Sequence, residues 1–343
     1  MQENPQNLMV RELTPEEYAL WDDLVNDSAV GTIFHTTQWG KVISKITGRP
    51  FKIIATFNKN QIGGGLLFWP QKKITIKAIT SVPATPYQGI LTHQLKTDRK
   101  SSIIANHQRT VKTLLGQLKN EYDFIQFPLT PGINDVRPYL WENFKAFPAY
   151  TYSFTILPMA ELEFQFNRTL RQNLRTAKNE GLYTERSYHI EPLIEFVKSS
   201  YLMHHKKPPV SGNQLKILVE EILNQKIGSI YYLKKESKII AGLIVLHDSK
   251  AVYALFMGID PSERNQNYNK YIYASVMELN EHLGKKFDFL GANEPDFETL
   301  KRSFGGELEN FYKVSYTRNT WIKWLAALRE KQHLYQRKSS LSY

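Results

Sequence analysis

The 343-residue sequence contains no cysteine. This absence excludes disulfides, thiolate metal ligands and a cysteine nucleophile, and it is typical of a reducing compartment. No apolar run approaches the roughly 20 residues that cross a bilayer. The first residues combine neither a basic start nor an apolar core, so we expect no signal peptide. We therefore expect a cytoplasmic protein, with a peripheral contact at the inner face of the membrane left open.

Acidic residues are scarce relative to basic ones. The chain has 33 Asp and Glu against 44 Lys and Arg, which gives a formal net charge of +11. This balance favours an anionic partner such as nucleic acid, a nucleotide-linked substrate or an anionic membrane surface. A lysine-rich surface that faces only solvent is the alternative.

Several catalytic signatures are also missing. The sequence has no serine-hydrolase elbow and no phosphate-binding P-loop. The adjacent histidines His204 and His205 point to different sides of a predicted helix, and no histidine spacing fits a metal site. We expect neither a metal nor a bound cofactor.

The sequence contains one structural unit twice. Residues 62–69 and 239–246 each predict a strand that follows a short lysine-containing turn. A further strand, a helix and a hydrophobic strand come after each, the last at 122–127 and 287–290. A repeat of this length predicts two similar α/β halves. We assign residues 1–150 to a first domain and 151–318 to a second, and we expect a site in the cleft between them.

Residues 319–343 are predicted to form a C-terminal helix and a basic tail. The helix is expected over 321–331, where four apolar side chains share one face: Trp321, Trp324, Leu325 and Leu328. We expect this face to pack on the first domain. Binding to an anionic membrane surface is the alternative.

A single helix is predicted over residues 162–180, with Gly181 as the residue that ends it. Four cations on this helix are spaced three, four and three residues apart and therefore share one face: Arg168, Arg171, Arg175 and Lys178. A basic stripe of this kind can follow a chain of phosphates, although a solvated helix face gives the same pattern.

Four segments occur in an order that resembles a known family. They are residues 135–138 followed by Trp141, Phe144 and 150–152; a basic helix at 171–181; the stretch 287–291; and the stretch 300–307. With the order of predicted elements, they resemble the Fem-type peptidoglycan aminoacyltransferases and their acyl-CoA-using relatives. The resemblance covers nearly the whole chain. It implies an α/β fold with mixed sheets, built as two tandem GNAT-like acyltransferase domains.

The resemblance also implies a reaction. The enzyme would move an aminoacyl group from aminoacyl-tRNA to an amine of a nucleotide- or lipid-linked peptidoglycan precursor, by direct attack of the amine on the activated ester. An acyl-CoA-dependent N-acyltransferase acting on a sugar or lipid precursor stays open. A third possibility, from another class, is a non-catalytic RNA- or membrane-binding module on a degenerate GNAT fold.

The resemblance assigns roles to individual residues. A Phe-Lys pair lines the transfer site of the family where this chain has Leu300 and Lys301, so Lys301 is the expected catalytic residue. Its ammonium would stabilise a tetrahedral oxyanion; a surface lysine on a helix is the alternative. In the family the first half mainly binds the acceptor, and a lysine after a Gln/Trp pair contacts it. The acceptor-binding candidates are Trp39, Lys41, Tyr152 and His205.

The donor is expected to contact the four cations of the 162–180 helix and Arg264. GNAT enzymes that use coenzyme A usually hold its pyrophosphate on a glycine-rich turn that opens a helix. The corresponding stretch, residues 263–270, has Arg264 but no glycine. This departure favours aminoacyl-tRNA over acyl-CoA as donor. No predicted helix matches the long helical arm of some Fem enzymes, so tRNA binding through an arm is not expected.

Overall fold

A computed structural model describes residues 8–318, apart from residues 59–60, 96, 98, 204 and 264–266 and the side chain of Asp296. The predicted C-terminal helix and tail and the turn residue Arg264 lie outside this part of the chain. The chain divides into two compact units. One contains the chain up to Pro148 and again from Phe311, and the other is Ala149–Asn310. Residues 311–318, which the sequence division placed in the second domain, thus cluster with the first unit.

The first unit is built from amphipathic helices and a hairpin. In the helix Thr37–Thr47, buried side chains recur every three or four residues, the Thr36 side chain accepts a bond from Trp39 N–H, and Gly48 ends the helix. The helices of the unit are α1 (Tyr18–Asp27), α2 (Thr37–Thr47), α3 (Lys100–Glu121) and α4 (Arg137–Trp141). Its strands are β1 (Met9–Glu12), β2 (Lys52–Asn58), β3 (Gln61–Phe68), β4 (Pro70–Lys73), β5 (Ile76–Ile79), β6 (Leu91–Thr92) and β7 (Phe124–Pro128).

The strands of the first unit form two groups. The order β1-β2-β3-β6 is antiparallel throughout. In the second group, β4 pairs antiparallel with β5, and β5 pairs parallel with β7. Helix α3 buries Val111, Leu114, Leu115 and Leu118 in the core of the unit, together with Ile125 and Phe127 of β7.

Two long strands, β8 (Lys145–Thr155) and β14 (Glu307–Thr317), carry the chain from one unit into the other. The helices of the second unit are α5 (Met159–Gln165), α6 (Arg168–Asn179), α7 (Glu191–Met203), α8 (Gly212–Asn224), α9 (Tyr268–Leu279) and α10 (Pro295–Arg302). Its other strands are β9 (Leu182–Ser187), β10 (Gly228–Lys235), β11 (Lys238–His247), β12 (Ala251–Ile259) and β13 (Lys286–Asp288).

The strands of the second unit follow the order β8-β13-β12-β11-β10-β9, in which β12 and β13 are parallel and the other pairs antiparallel. Central strand β11 is buried from Ile240 to Leu246 without alternation, as expected of a strand covered on both faces. Helices α7 and α9 both pack against it. An aromatic cluster completes the core: Phe154, Phe166, Tyr273, Phe287, Phe289 and Phe304.

The predicted duplication is confirmed in the order of elements. In each unit two helices precede an antiparallel hairpin, β2–β3 or β10–β11, and a later helix leads into a short inner strand, α3 into β7 and α9 into β13. The mixed α/β fold predicted from the sequence is therefore correct.

The single helix predicted over residues 162–180 is wrong. The chain breaks between α5 and α6, because Asn167 is extended (φ −64°, ψ 160°) and its side chain accepts a bond from Leu170 N–H at 2.8 Å. Phe166, next to the break, is buried edge-on against Phe304. Asn is a strong N-cap residue, so local capping and the burial of Phe166 together outweigh helix continuation. Gly181 does follow the last residues of α6, with φ +75°.

Across the described residues, no helix combines the length and the apolar character needed to span a bilayer.

Candidate active site

The sheet of the second unit opens between two of its strands. β12 and β13 pair at three positions only, the last being Tyr253 with Asp288. On its other edge, β12 stays paired with β11 as far as Ile259. The chain that follows β13 therefore leaves β12 while β12 continues. The result is a gap that two parallel strands border.

The segment after β13 is a β-bulge against β8. Phe289 N–H donates to Tyr152 O at 3.1 Å, and Ala292 N–H donates to Tyr150 O at 2.7 Å. Three steps along this segment thus match two steps along β8, so one extra residue is inserted. Leu290 takes up the insertion with φ +53° and Gly291 with φ +101°. Bulges often lie next to active sites, where they redirect the chain.

Lys301 holds this bulge from the side of α10. Its Nζ donates to Phe289 O at 2.8 Å and to Gly291 O. The residue is only 8% exposed, so it is not the surface lysine that was the alternative interpretation. Burial lowers the pKa of Lys301 to about 8, and the nearby Asp288 carboxylate opposes part of this shift.

Asp288 and Thr151 satisfy the N–H groups of the same bulge. Leu290 N–H donates to Asp288 Oδ1 at 2.8 Å, and Gly291 N–H donates to Thr151 Oγ1 at 3.0 Å. The Thr151 hydroxyl in turn donates to Asp288 Oδ1 at 2.7 Å. Both residues are buried. Neither residue was predicted from the sequence; the available signal was a single carboxylate inside the apolar stretch 287–290.

Tyr152 belongs to the same cluster. Its carbonyl accepts the Phe289 N–H, and its hydroxyl donates to Glu298 Oε1 at 3.0 Å. Glu298 also accepts a bond from Arg302 Nε at 2.9 Å. Burial, followed by the contact with Glu298, raises the pKa of Tyr152. Two of the predicted site residues, Tyr152 and Lys301, thus meet at one loop.

The two glycines after Phe304 allow close approach of the backbone. Gly305 has φ +74°, and a Cβ built on it would overlap the carbonyl oxygen of Gln165. A Cβ on Gly306 would lie 2.8 Å from Ser153 O. These contacts fit α10 and β14 tightly to α5 and β8, next to the bulge.

The basic stripe on α6 is largely exposed, but its members differ. Arg168, Arg175 and Lys178 are exposed. Arg171 is half-buried and donates to Phe166 O at 2.7 Å and to Glu163 O at 3.3 Å, so it ties α6 to α5. On the same helix, Asn173 Nδ2 donates to Asn267 Oδ1 at 2.7 Å. Asn173 lies on the opposite side of α6 from the four cations, so this bond joins α6 to the residue before α9 without placing the stripe there.

The remaining predicted residues lie elsewhere. Trp39 has no exposed surface and donates its indole N–H to Thr85 Oγ1 at 3.0 Å, so it packs in the first unit's core and offers no surface to an acceptor. Lys41 is exposed on α2, and its charge opposes the burial that raises the pKa of Asp22. His205 lies exposed in a turn with φ +52°, before the ion pair of Lys206 with Glu294 at 3.3 Å.

The second unit thus has a parallel strand pair that opens at a bulge, a buried ammonium at that bulge, and a helix α9 that packs against the basic helix α6. The described residues contain no group of three or more histidines and carboxylates that could hold a metal ion.

The profile of the acetyltransferase (GNAT) domain family matches residues 165–299, from the last residue of α5 into α10. This match places the opened sheet inside an acyltransferase domain. The protein is an acyltransferase of the GNAT fold.

Solved structures extend the likeness over most of the chain. FemX aligns with a TM-score of 0.69 at 13% identity, covering 88% of this chain and 96% of that one. The C-terminal domain of a protein assigned as a lysylphosphatidylglycerol synthetase from Agrobacterium fabrum aligns at 0.56 and 13%, covering 91% and 95%. A tandem GNAT protein from the clavulanic acid biosynthesis pathway aligns at 0.52 and 9%, covering 91% and 99%. The fold is the Fem-like tandem GNAT fold. A search of curated protein sequences gave no match to the chain.

Proposed function

We propose that this acyltransferase moves an aminoacyl group from aminoacyl-tRNA to an amine of a nucleotide- or lipid-linked peptidoglycan precursor in the cytoplasm. The observation that carries the choice of donor is the exposed cationic face of α6, formed by Arg168, Arg175 and Lys178. A row of exposed cations suits a chain of phosphates better than a single pyrophosphate. The formal charge of +11 favours the same class of partner.

The neighbours of the fold support aminoacyl transfer. The chain resembles the Fem-type aminoacyltransferases in its sequence motifs, and FemX shares its fold over 88% of its length. A lysylphosphatidylglycerol synthetase, by its name, makes a lysyl derivative of a lipid headgroup, and a protein so assigned has the same fold. Both likenesses favour a carrier-linked acceptor in the envelope.

The proposed mechanism is direct attack. The lone pair of the acceptor amine attacks the carbonyl carbon of the ester, and the carbonyl electrons move to oxygen. Collapse of the tetrahedral species breaks the ester C–O bond, and the proton lost by the amine ends on the released ribose hydroxyl. The protein supplies proximity at the opening of the sheet, where Lys301 bonds the backbone of the bulge.

An acyl-CoA donor is the second candidate. It is favoured by the profile that matches residues 165–299, which is that of an acetyltransferase domain. The tandem GNAT protein from the clavulanic acid pathway is described as solved without AcCoA, so an acyl-CoA is associated with a protein of the same fold. Against this donor stands the stretch 263–270, which lacks the glycines that let backbone N–H groups close on a pyrophosphate.

Binding measurements separate the two donors. The affinity for charged tRNA should fall with salt at a log–log slope of about one per phosphate contacted. Changing Arg168 and Arg175 to Glu should reduce the slope by about two. The same change at Lys72 and Lys73, which are exposed in the first unit, should leave it unaltered. Arg171 is avoided because it bonds two backbone carbonyls.

A thermal melt with coenzyme A tests the acyl-CoA donor directly. At about 1 mM it should leave the melting temperature unchanged, because a ligand stabilises a protein only when it occupies the native state. A clear melting shift with coenzyme A, together with salt-insensitive tRNA binding, makes the acyl-CoA donor the better assignment.

A further inference from the structure

The bulge at residues 289–292 has backbone groups that no strand pairs. A regular strand would exchange these groups with β8 or β12, but the insertion interrupts the β8 ladder and β12 has already separated. Four groups of the segment take side-chain partners: the N–H of Leu290 and of Gly291 and the C=O of Phe289 and of Gly291. These groups are wholly or partly buried, and a buried backbone group left unpaired carries a desolvation cost of about 1–3 kcal/mol.

Three side chains from three elements meet these four groups. Asp288 at the end of β13 accepts the Leu290 N–H, and Thr151 of β8 accepts the Gly291 N–H. Lys301 of α10 donates to both carbonyls. A hydrogen bond from Thr151 to Asp288 joins two of the three side chains. The three side chains are therefore linked through the bulge, and two of them are also linked to each other.

The conformation that these side chains hold is a strained one. Leu290 has φ +53°, a left-handed conformation that costs a non-glycine residue about 1–2 kcal/mol. Such a conformation persists only where the surroundings fix it. Here the bulge follows directly after Asp288, the last residue that pairs with β12, so it is also the point at which the sheet opens.

We infer that Asp288, Thr151 and Lys301 are positioning residues, which hold the bulge at residues 289–292 and so keep the sheet open between β12 and the segment after β13. Lys301 then acts on transfer mainly through the backbone of residues 289–291, and not by touching the substrate. The inference rests on the proposed function only in taking this opening as the transfer site.

Hydrogen exchange tests, without any substrate, whether these side chains hold the bulge. The amides of Leu290 and Gly291 are followed by NMR or by mass spectrometry of short peptides, in Thr151→Val and Lys301→Met variants. Both variants should exchange these two amides at least about tenfold faster than the wild type, the equivalent of losing one buried bond. Thr151→Ser keeps the hydroxyl and should restore protection. Thr299→Val and Arg302→Met, on the exposed side of α10, are matched controls and should change neither amide.

Transfer kinetics test whether the three residues affect the reaction through the bulge. If the three residues act as a unit, Thr151→Val and Lys301→Met should each lower kcat by a similar factor, and the double variant should be no slower than the slower single variant. Thr151→Ser should recover most of the rate. A direct charge role predicts otherwise: Lys301→Met would abolish transfer while Thr151→Val, which keeps the ammonium, would turn over like the wild type.

The inference is overturned by that kinetic pattern, or by unchanged exchange of Leu290 and Gly291 in the Lys301→Met variant. If the wild type transfers from neither donor class, the proposed function fails by itself, and the exchange data still decide whether these side chains hold the bulge.

Discussion

The buried ammonium of Lys301 makes stability depend on pH in the alkaline range. Its pKa is lowered to about 8 by burial, whereas an unfolded lysine titrates near pH 10.4. Between these values the unfolded chain binds more protons than the folded one, so the free energy of unfolding rises with pH across the window. The rise is at most about 3 kcal/mol, and below about pH 8 the cost of burying the charge is fully present.

Denaturant titrations at several pH values between about 7 and 10.5 measure this dependence. The stability of the wild type relative to Lys301→Met should increase from pH 8 upward and stay constant below it. Arg302→Met, at the exposed neighbouring cation, should show no such trend. A difference in the free energy of unfolding between the wild type and Lys301→Met that does not change with pH would contradict the assigned burial of the ammonium.

Gly305 is a second residue whose role is set by backbone geometry. With φ +74° and no room for a Cβ beside Gln165 O, Gly305→Ala should cost more than about 2 kcal/mol. Gly284 is the matched control, since it has φ +56° but nothing within 4 Å of an added Cβ. Its change to Ala should cost only about 1 kcal/mol. If urea titrations show that the two variants lose the same free energy of unfolding, the contact of Gly305 with α5 is not tight.

At the scale of elements, the break between α5 and α6 depends on one cap. Asn167→Ala removes the acceptor for Leu170 N–H and should destabilise the protein by about 1 kcal/mol. Gln172→Ala, at an exposed position within α6, should be neutral or slightly stabilising. Thermal melts of the two variants measure the difference. If the two variants melt alike, the cap does not determine where α6 begins.

The sequence predicts the regular elements better than the junctions between them. The helix and the hydrophobic strand predicted after the first repeat unit occur as α3 (Lys100–Glu121) and β7 (Phe124–Pro128). The break at Asn167 was missed because the cations and leucines continue at helical spacing across 168–178, and the burial of Phe166 against Phe304 is a tertiary contact. Asn167 itself was the available signal, as a capping residue in front of the basic stripe.

The residues of the candidate site were also predictable from the sequence only in part. The position of Lys301 beside the 287–291 stretch follows from the motif order, but its two carbonyl partners depend on a bulge that no local pattern encodes. The insertion is defined by pairing with β8, more than 130 residues earlier in the chain, so Thr151 has no sequence signal of its own. Trp39 illustrates the reverse case: its position in a motif suggested a contact with the acceptor, and its complete burial leaves it a packing role.

At the scale of the whole molecule, the duplication was the most informative feature of the sequence. Two units of the same element order define a tandem GNAT fold, and the profile match to residues 165–299 identifies the second as an acyltransferase domain. Neither feature carries the identity of the donor. We propose that the donor is selected by the exposed cations of α6 and by the stretch 263–270, which are side-chain properties that a shared fold leaves free to vary.

The central claim is that the protein transfers an aminoacyl group from tRNA, and a donor-labelling assay tests it most directly. Purified protein is incubated with an extract of peptidoglycan precursors and with either radiolabelled aminoacyl-tRNA or radiolabelled acetyl-CoA, and label in an alkali-stable amide is counted. We predict that label enters the precursor from aminoacyl-tRNA and not from acetyl-CoA, and that ribonuclease treatment of the donor abolishes it. Incorporation from acetyl-CoA with none from aminoacyl-tRNA would contradict the account.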